Sequence, residues 1–215
     1  MSRAVIFDLD GTLLNTLYDL CDSVNYVLES YGYPQRTLKE VNSFIGNGIG
    51  ELIRRSLPLD AQDKLDEALK KFREYYGEHS KDKTCVYDGL IPVLEKLRAD
   101  GYKIGVVTNK VDFAAKELCE EFFGELVDIA LGDRVGFPRK PDPAPVKEAM
   151  EYLGCDKAIF VGDSDVDILT AKNAGLPCIA VTWGFRDREF LEKNGGEIFA
   201  DNADELYDLI KGVAL

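Results

Sequence analysis

Apolar positions along the chain fall into two alternating patterns. Short runs rich in β-branched and aromatic residues, each ending in polar residues or glycine, occupy residues 3–8, 103–108, 126–131, 158–162, 178–182 and, more weakly, 198–200. Because these runs are apolar throughout, they predict buried strands of a parallel sheet. Between most of them, apolar residues recur at helical spacing and stop before a glycine. This alternation predicts an α/β fold class: a doubly wound parallel sheet built from right-handed βαβ units.

One connection is far longer than a crossover between strands requires. Between residue 8 and the run at 103, apolar residues from Leu17 to Tyr31 share one helical stripe, and Thr37 with Glu40 has capping-box spacing. Further helices are predicted around residues 49–56 and over residues 60–80, and a last one from Asn202. We therefore predict an all-helical domain, residues 15–86, inserted into a Rossmann-like core formed by residues 1–14 and 87–215.

The net charge, the single histidine and the scattered cysteines exclude several classes of function. Lys and Arg number 26 against 39 Asp and Glu, which gives a net charge of −13 at pH 7. This balance disfavours nucleic acid and anionic membranes as partners, whereas one local cation suffices to bind a small phosphorylated ligand. His79 is the one histidine, so hydrolysis through a histidine base is not expected. Five scattered cysteines without a C-x-x-C pair are typical of small buried residues in a reducing cytoplasm, and the first apolar run is too short for a signal peptide.

Acidic residues cluster at the ends of two predicted strands. Asp8 and Asp10 end the first run and precede Gly11, which permits a sharp turn. Two neighbouring anions repel each other unless a cation such as Mg²⁺ lies between them; the alternative is an acid pair in a loop or helix cap. Asp163 follows the run at 158–162 and is the better metal-ligand candidate there, since Asp165 has the position of a helix cap.

Two further segments carry polar groups that suit a phosphate. Thr108 and Asn109 end the second long run, where they can donate hydrogen bonds to phosphoryl oxygens or cap the next helix. Lys140 lies between prolines, which restrict its loop, although a solvated lysine beside a helix start is common. Because carboxyl ends of parallel strands meet at one sheet edge, where open α/β folds bind ligands, we expect these residues to converge.

On these residues the chain resembles the haloacid dehalogenase superfamily of phosphohydrolases. Its four motifs match, in order, residues 8–12, Thr108, Lys140, and residues 162–164 with Asp167. The inserted helical domain matches the helical cap of that superfamily. Within it, residues 44–55 and 181–185 resemble the phosphoglycolate phosphatase group. One departure is Val86-Tyr87-Asp88-Gly89, where relatives usually carry proline before the glycine; we expect it to alter only the hinge.

The resemblance implies a mechanism. Asp8 would attack phosphorus and form an aspartyl-phosphate, and Asp10 would protonate the leaving oxygen and then deprotonate water. Mg²⁺ would be held by Asp8, the backbone carbonyl of Asp10, and Asp163. Thr108 and Lys140 would hold phosphoryl oxygens. Asp167 would orient Lys140 or a metal-bound water. The further candidates for substrate contact are Gly11, Thr12, Asn109 and Ser164.

A glycine-rich stretch in the inserted domain is the remaining candidate site. Gly46, Asn47 and Gly48 belong to a G-x-G-x-G pattern that follows a helix and not a strand, so it does not predict a dinucleotide site. It is either a flexible turn or, as the resemblance implies, a loop that closes over the non-phosphate end of the substrate. Arg54 or Arg55 could contact a substrate carboxylate, with Arg55 the chosen candidate, or remain solvated.

The sequence thus predicts a Mg²⁺-dependent phosphatase of a small metabolite, with 2-phosphoglycolate as leading substrate. An inorganic pyrophosphatase and a sugar-phosphate mutase are alternatives on the same scaffold. A phosphorelay receiver domain is disfavoured because such domains are shorter and lack the insertion, and an idle phosphate-binding protein is disfavoured by the intact set of catalytic candidates. We expect a monomer or a small homo-oligomer.

Overall fold

The computed structural model describes residues 3–213, so the ends of the predicted core, residues 1–2 and 214–215, lie outside the described residues. Within residues 3–213 the chain forms two compact units, one from residues 3–14 with 86–213 and the other from Asn15–Cys85. The sequence-based boundary lies one residue later, at Tyr87. Within residues 3–213, no helix combines the length and the apolar character needed to span a membrane.

The first unit is built on a parallel sheet, which confirms the predicted fold class. Its strands are β1 (Arg3–Phe7), β4 (Tyr102–Val111), β5 (Ile129–Asp133), β6 (Lys157–Gly162), β7 (Cys178–Val181) and β8 (Ile198–Ala200), and two short strands, β2 (Leu14–Asn15) and β3 (Cys85–Val86), form a separate pair. The spatial order is β5-β4-β1-β6-β7-β8, so β1 lies in the middle. This order brings the ends of β4, β1 and β6 side by side.

Helices cover both faces of this sheet. They are α5 (Leu90–Ala99), α6 (Asp112–Phe123), α7 (Ala144–Leu153), α8 (Asp165–Ala174), α9 (Arg188–Lys193) and α10 (Ala203–Gly212). Val5 and Phe7 pack into the core that includes residues of α5, α6 and α10, whereas Ala4 and Ile6 pack into the core that includes residues of α7 and α8. Since successive side chains of a strand point to opposite faces, burial on both faces explains the uninterrupted apolar run of β1.

The second unit is helical. It contains α1 (Leu17–Ser30), α2 (Leu38–Phe44), α3 (Gly48–Ser56) and α4 (Leu65–His79). The expected capping box is present, because the Glu40 N–H donates to Thr37 Oγ1 and the Thr37 N–H donates to Glu40 Oε2. The single helix predicted over residues 60–80 is wrong at its start: Leu59–Lys64 is a 3₁₀ segment with a non-helical residue at Ala61, and the α-helix begins at Leu65.

Strand ends and two other local features differ from the sequence-based expectation. β4 continues past Thr108 to Val111, and β5 begins at Ile129 because Gly124–Leu126 is a 3₁₀ turn. At α10 the Asn202 side chain accepts the Glu205 N–H as expected, but the Glu205 carboxylate accepts from the Asp201 N–H. The cysteines are free thiols, yet only Cys21 and Cys119 are buried, and Cys85 is exposed.

Candidate active site

Asp8 follows the central strand directly and is buried at its carboxyl end. Its backbone N–H donates to the Val161 carbonyl of β6 at 2.9 Å, which fixes it beside that strand. Its Oδ1 accepts the Leu9 N–H at 2.7 Å. Gly11 then turns the chain with a φ of 86°, and a Cβ there would lie 2.3 Å from the Asp163 carboxylate. Only glycine therefore allows this turn to approach Asp163 so closely.

Asp163 is held from two sides at the end of β6. Its Oδ1 accepts the Thr12 hydroxyl at 3.0 Å, and its Oδ2 accepts the Phe185 N–H at 2.7 Å. The side chain is almost fully buried. Gly184 makes the second contact possible, since a Cβ at that position would lie 2.3 Å from the Asp163 Cβ. The β1 turn and the segment after β7 together orient this carboxylate.

Lys140 forms ion pairs with a carboxylate at the end of β1 and with one in the first turn of α8. Its Nζ lies 2.9 Å from Asp8 Oδ1 and 2.7 Å from Asp167 Oδ1, and its side chain is only 2% exposed. Burial alone would lower the pKa of Lys140, but the carboxylates of Asp167 and Asp8 outweigh that effect and raise it. A buried ammonium with two carboxylate partners remains charged at neutral pH.

Asp167 supports Lys140 and also closes the start of α8. Its Oδ2 accepts the Ser164 N–H at 3.1 Å and the Ser164 hydroxyl at 2.6 Å, while Ser164 Oγ accepts the Asp167 N–H. Ser164 is thus the helix cap, and the sequence-based assignment of the cap to Asp165 is wrong. The reciprocal geometry is a capping box with Asp as its acidic member. Through this capping box Ser164 contacts Asp167 and lies beside the acidic side chains of the site.

The cluster carries uncompensated negative charge. Asp8, Asp163 and Asp167 each offer a carboxylate oxygen within 4.8 Å of the others, and Lys140 is the ammonium group bonded to two of them. Burial, followed by repulsion from neighbouring carboxylates, raises the pKa of Asp8 to about 6 and that of Asp163 to about 8. When all three carboxyls are ionised, the one ammonium leaves a net charge of −2, which a divalent cation would balance.

The donor set fits a hard cation such as Mg²⁺. Carboxylate oxygens are its preferred protein ligands, and the cluster supplies three carboxylates, of which Lys140 bonds one oxygen of Asp8 and one of Asp167. Asp167 already bonds the Lys140 ammonium and caps α8 through Ser164. The two donors that hold Asp163, the Thr12 hydroxyl and the Phe185 N–H, are neutral and leave its charge unbalanced. Asp163, together with Asp8, is therefore the candidate side-chain ligand, as the resemblance implies. The backbone carbonyl of Asp10 remains a predicted third ligand.

Thr108 and Asn109 lie inside β4, so neither caps the following helix. The residue before α6 is Val111, which has no capping side chain. Thr108 Oγ1 accepts the Lys110 N–H at 3.3 Å, and Asn109 Nδ2 donates to the Lys140 carbonyl at 3.1 Å. Asn109 thereby fixes the backbone of the loop that presents Lys140.

Asp10 is turned toward a lysine that the sequence analysis overlooked. Lys110 Nζ lies 3.0 Å from Asp10 Oδ1 and 3.2 Å from Oδ2. The Asp10 carboxylate therefore bonds to Lys110, and metal binding by the Asp10 backbone carbonyl stays a prediction. The sequence offered one signal for Lys110, a charged residue directly after the polar end of a buried run.

The segment after β7 is the second feature that sequence reasoning missed. Besides the Phe185 N–H contact to Asp163, the Trp183 indole N–H donates to the Thr12 carbonyl at 3.1 Å. Trp183 thereby fixes the turn that carries Thr12. The role of Gly184 and Phe185 in holding Asp163 could not be read from residue types, because backbone groups make the contacts.

The candidates in the helical unit fall at the two ends of α3: Gly46, Asn47 and Gly48 at its start, and Arg55 in its last turn. Gly46 and Gly48 have φ values of 120° and 78°, and Asn47 precedes the helix without a capping bond from its side chain. Arg55 Nε donates to Glu51 at 2.7 Å. Bonding to Arg54, and then to Arg55, lowers the pKa of Glu51 to about 2. Substrate contact by these residues stays a prediction.

Comparisons with known proteins agree on one family. The profile of the haloacid dehalogenase-like hydrolases matches residues 5–181. The phosphoglycolate phosphatase of Cereibacter sphaeroides is 37% identical over 213 residues, which cover 96% of this chain and 97% of that protein. Phosphoglycolate phosphatase 1 of Pseudomonas aeruginosa is 34% identical, with 96% and 79% covered. A solved structure from Lactobacillus delbrueckii subsp. bulgaricus, provisionally assigned as a phosphoglycolate phosphatase, has a TM-score of 0.90 at 34% identity and covers 96% and 97%.

Proposed function

Because the chain belongs to the haloacid dehalogenase-like hydrolase family, we propose that it is a Mg²⁺-dependent phosphatase of small phosphate monoesters. The leading substrate is 2-phosphoglycolate, which the names of the relatives from Cereibacter sphaeroides and Pseudomonas aeruginosa supply. The observation that carries the proposal is the meeting of Asp8, Lys140 and Asp163 within one buried cluster.

The first half of the reaction transfers the phosphoryl group to Asp8. A carboxylate oxygen of Asp8 attacks phosphorus, the bond from phosphorus to the leaving oxygen breaks, and Asp10, which enters this step as the carboxylic acid, gives that oxygen its proton and becomes the carboxylate. Lys140 lies 2.9 Å from Asp8, so its ammonium can pair with a phosphoryl oxygen placed beside the nucleophile. Thr108 is the candidate hydroxyl donor, whereas the hydroxyl of Ser164, the other predicted contact, already donates to Asp167 Oδ2.

The second half regenerates the enzyme. Water attacks phosphorus, Asp10 takes a proton from that water, and the bond between phosphorus and the Asp8 oxygen breaks to release inorganic phosphate. Asp163 and Asp8 would hold Mg²⁺, which when bound offsets the negative charge of the transferring group. Asp167 keeps Lys140 in place through the 2.7 Å contact. No histidine is needed at any step.

A substrate screen tests this proposal. Phosphate release is measured for 2-phosphoglycolate, pyrophosphate, hexose phosphates and nucleotides, each with Mg²⁺ and with a chelator. We expect turnover of a small monoester that requires Mg²⁺ and is abolished in Asp8→Asn. Asp204→Asn serves as the control, because Asp204 is 92% exposed and its lysine contact is long, at 3.9 Å.

The alternatives have their own outcomes in the same screen. Pyrophosphate as the preferred substrate would indicate a pyrophosphatase, and conversion of a hexose phosphate without phosphate release would indicate a mutase. Full activity in Asp8→Asn would contradict the mechanism. The free thiols are compatible with the predicted cytoplasmic location, and a monomer or small homo-oligomer stays our prediction.

A further inference from the structure

Lys110 is a buried cation next to the active site, and the mechanism above gives it no role. Its side chain is 3% exposed, and the Asp10 side chain is 16% exposed. Its Nζ is within 3.2 Å of both Asp10 oxygens. An ammonium buried to this degree requires an anionic partner, since its desolvation is otherwise too costly. The pair Asp10–Lys110 is therefore a fixed feature of the folded core.

The backbone under Lys110 is fixed as well. The pairing register between β4 and β5 shifts between Val107 and Val111, so this part of the strand departs from regular pairing. The Lys110 N–H donates to Thr108 Oγ1 at 3.3 Å. A Cβ at Gly132 of β5 would lie 2.5 Å from the Lys110 carbonyl, so a glycine lets the irregular strand pack closely. Both ends of the Lys110 residue are thus held, which gives its ammonium a defined position.

The two lysines near the site have separate partners. Lys140 contacts Asp8 and Asp167, and Lys110 contacts Asp10. The acidic cluster keeps its −2 charge without Asp10, whose charge Lys110 balances. This pairing fits the carboxylate form of Asp10, which takes the proton of water in the second half of the reaction; the acid form that donates in the first half still has an oxygen that can accept from Lys110.

We propose that Lys110 is a positioning residue for catalysis: by bonding both carboxylate oxygens of Asp10, it holds the general acid and base in the orientation that proton transfer requires. Lys110 does not itself exchange a proton or contact phosphorus. This inference rests on the proposed phosphatase function. It predicts that loss of Lys110 lowers kcat through Asp10 and leaves substrate affinity largely intact.

Steady-state kinetics of Lys110→Met provides the first test. We expect kcat on the preferred monoester to fall by about tenfold or more, within the range that general acid–base catalysis contributes, with KM changed less than about threefold. Lys110→Gln keeps one amide donor toward Asp10 and should retain more activity than Lys110→Met. Lys116→Met is the matched control, because Lys116 also pairs with an aspartate, Asp112, but is 56% exposed.

A double-mutant cycle separates positioning from a general structural effect. The substrate is p-nitrophenyl phosphate, whose leaving group departs without a proton, so that only the second half of the reaction depends on Asp10; the residual turnover of Asp10→Asn is measured at high enzyme concentration. If Lys110 acts through Asp10, adding Lys110→Met to Asp10→Asn should lower kcat by less than about twofold, since coupled residues are not additive. Thermal unfolding of all four proteins shows that each is folded at the assay temperature.

Three results would overturn the inference: an unchanged kcat in Lys110→Met, a KM increase as the sole effect, or a full multiplicative loss in the Asp10→Asn background. The KM result would assign Lys110 to substrate binding instead. Wild-type protein that releases phosphate from no substrate would refute the proposed function itself. An active wild type with a fully active Lys110→Met refutes only the role of Lys110.

Discussion

Gly184 approaches Asp163 so closely that a Cβ on Gly184 would lie 2.3 Å from the Asp163 Cβ. The same Cβ would lie 2.4 Å from the Gly11 carbonyl oxygen. Gly184 therefore lets two backbone segments close around one carboxylate. The next residue, Phe185, uses its N–H to hold that carboxylate at 2.7 Å.

Gly184→Ala should displace Asp163. Because both clashing groups belong to the packed site, the chain cannot accommodate the methyl group without a shift of the segment after β7. We expect Mg²⁺ affinity, measured by calorimetric titration, to fall at least about tenfold, as for losses of groups that orient metal ligands. Gly77→Ala is the control: its Cβ meets open space in α4, and alanine should stabilise that helix by about 0.5–1 kcal/mol. Unchanged Mg²⁺ affinity in Gly184→Ala would contradict the orienting role.

Lys140→Met should cost both activity and stability. The substitution leaves Asp8 and Asp167 buried without their shared cation, and breaking such a group by removing one partner costs about 3–5 kcal/mol. The free energy of unfolding, from urea denaturation, measures the loss. Adding Asp167→Asn removes one orphaned charge, so the double variant should be more stable than Lys140→Met alone, yet equally inactive. A double variant that is less stable than the single one would refute this electrostatic account.

Asp19→Asn should weaken the helical unit. The Asp19 carboxylate is buried in α1 and accepts from the Lys83 N–H, the Thr84 N–H and the Thr84 hydroxyl, at 2.8 to 3.1 Å. An amide nitrogen in place of one oxygen would face these donors, which we expect to cost about 2–3 kcal/mol of unfolding free energy. Asp22→Asn on the same helix is the control, since Asp22 makes only an exposed pair with Lys83. Equal stability of the two variants would rule out the buried network as the cause.

The metal-depleted protein should lose stability as the pH rises. Burial raises the pKa of Asp8 to about 6 and that of Asp163 to about 8, so the folded state binds more protons than the unfolded state above pH 3.8. The stabilising contribution is therefore complete below about pH 4 and is lost as the pH passes through 6 and 8. Denaturation of chelated protein at pH 5 and pH 8.5 should differ by more than about 1 kcal/mol.

Two comparisons check the origin of that pH effect. Adding Mg²⁺ should stabilise the protein more at pH 8.5 than at pH 5, because only the ionised carboxylates bind the cation. Asp8→Asn should reduce the pH dependence of the chelated protein. A chelated protein that is most stable at pH 8.5 would show that repulsion among the ionised carboxylates of the cluster does not lower the free energy of unfolding.

The sequence by itself determined the architecture and most of the chemistry. Uninterrupted apolar runs predicted the strands because both faces of the sheet are buried, as Val5 and Ile6 show by packing into opposite cores. The residue types at the ends of those runs predicted a meeting of Asp8, Thr108 and Asp163, because parallel strands bring their carboxyl ends to one edge. The prediction of Lys140 in this group rests instead on its proline-flanked loop and on the resemblance.

Only the tertiary structure decided how the charges pair and how the carboxylates are held. No pattern in the chain indicates that Lys110 faces Asp10, because the two lie 100 residues apart and meet through an irregular part of β4. The hold on Asp163 depends on the Phe185 N–H and on the missing side chain of Gly184. Backbone groups and close approaches carry no residue-type signal, so they become visible only when the chain is folded.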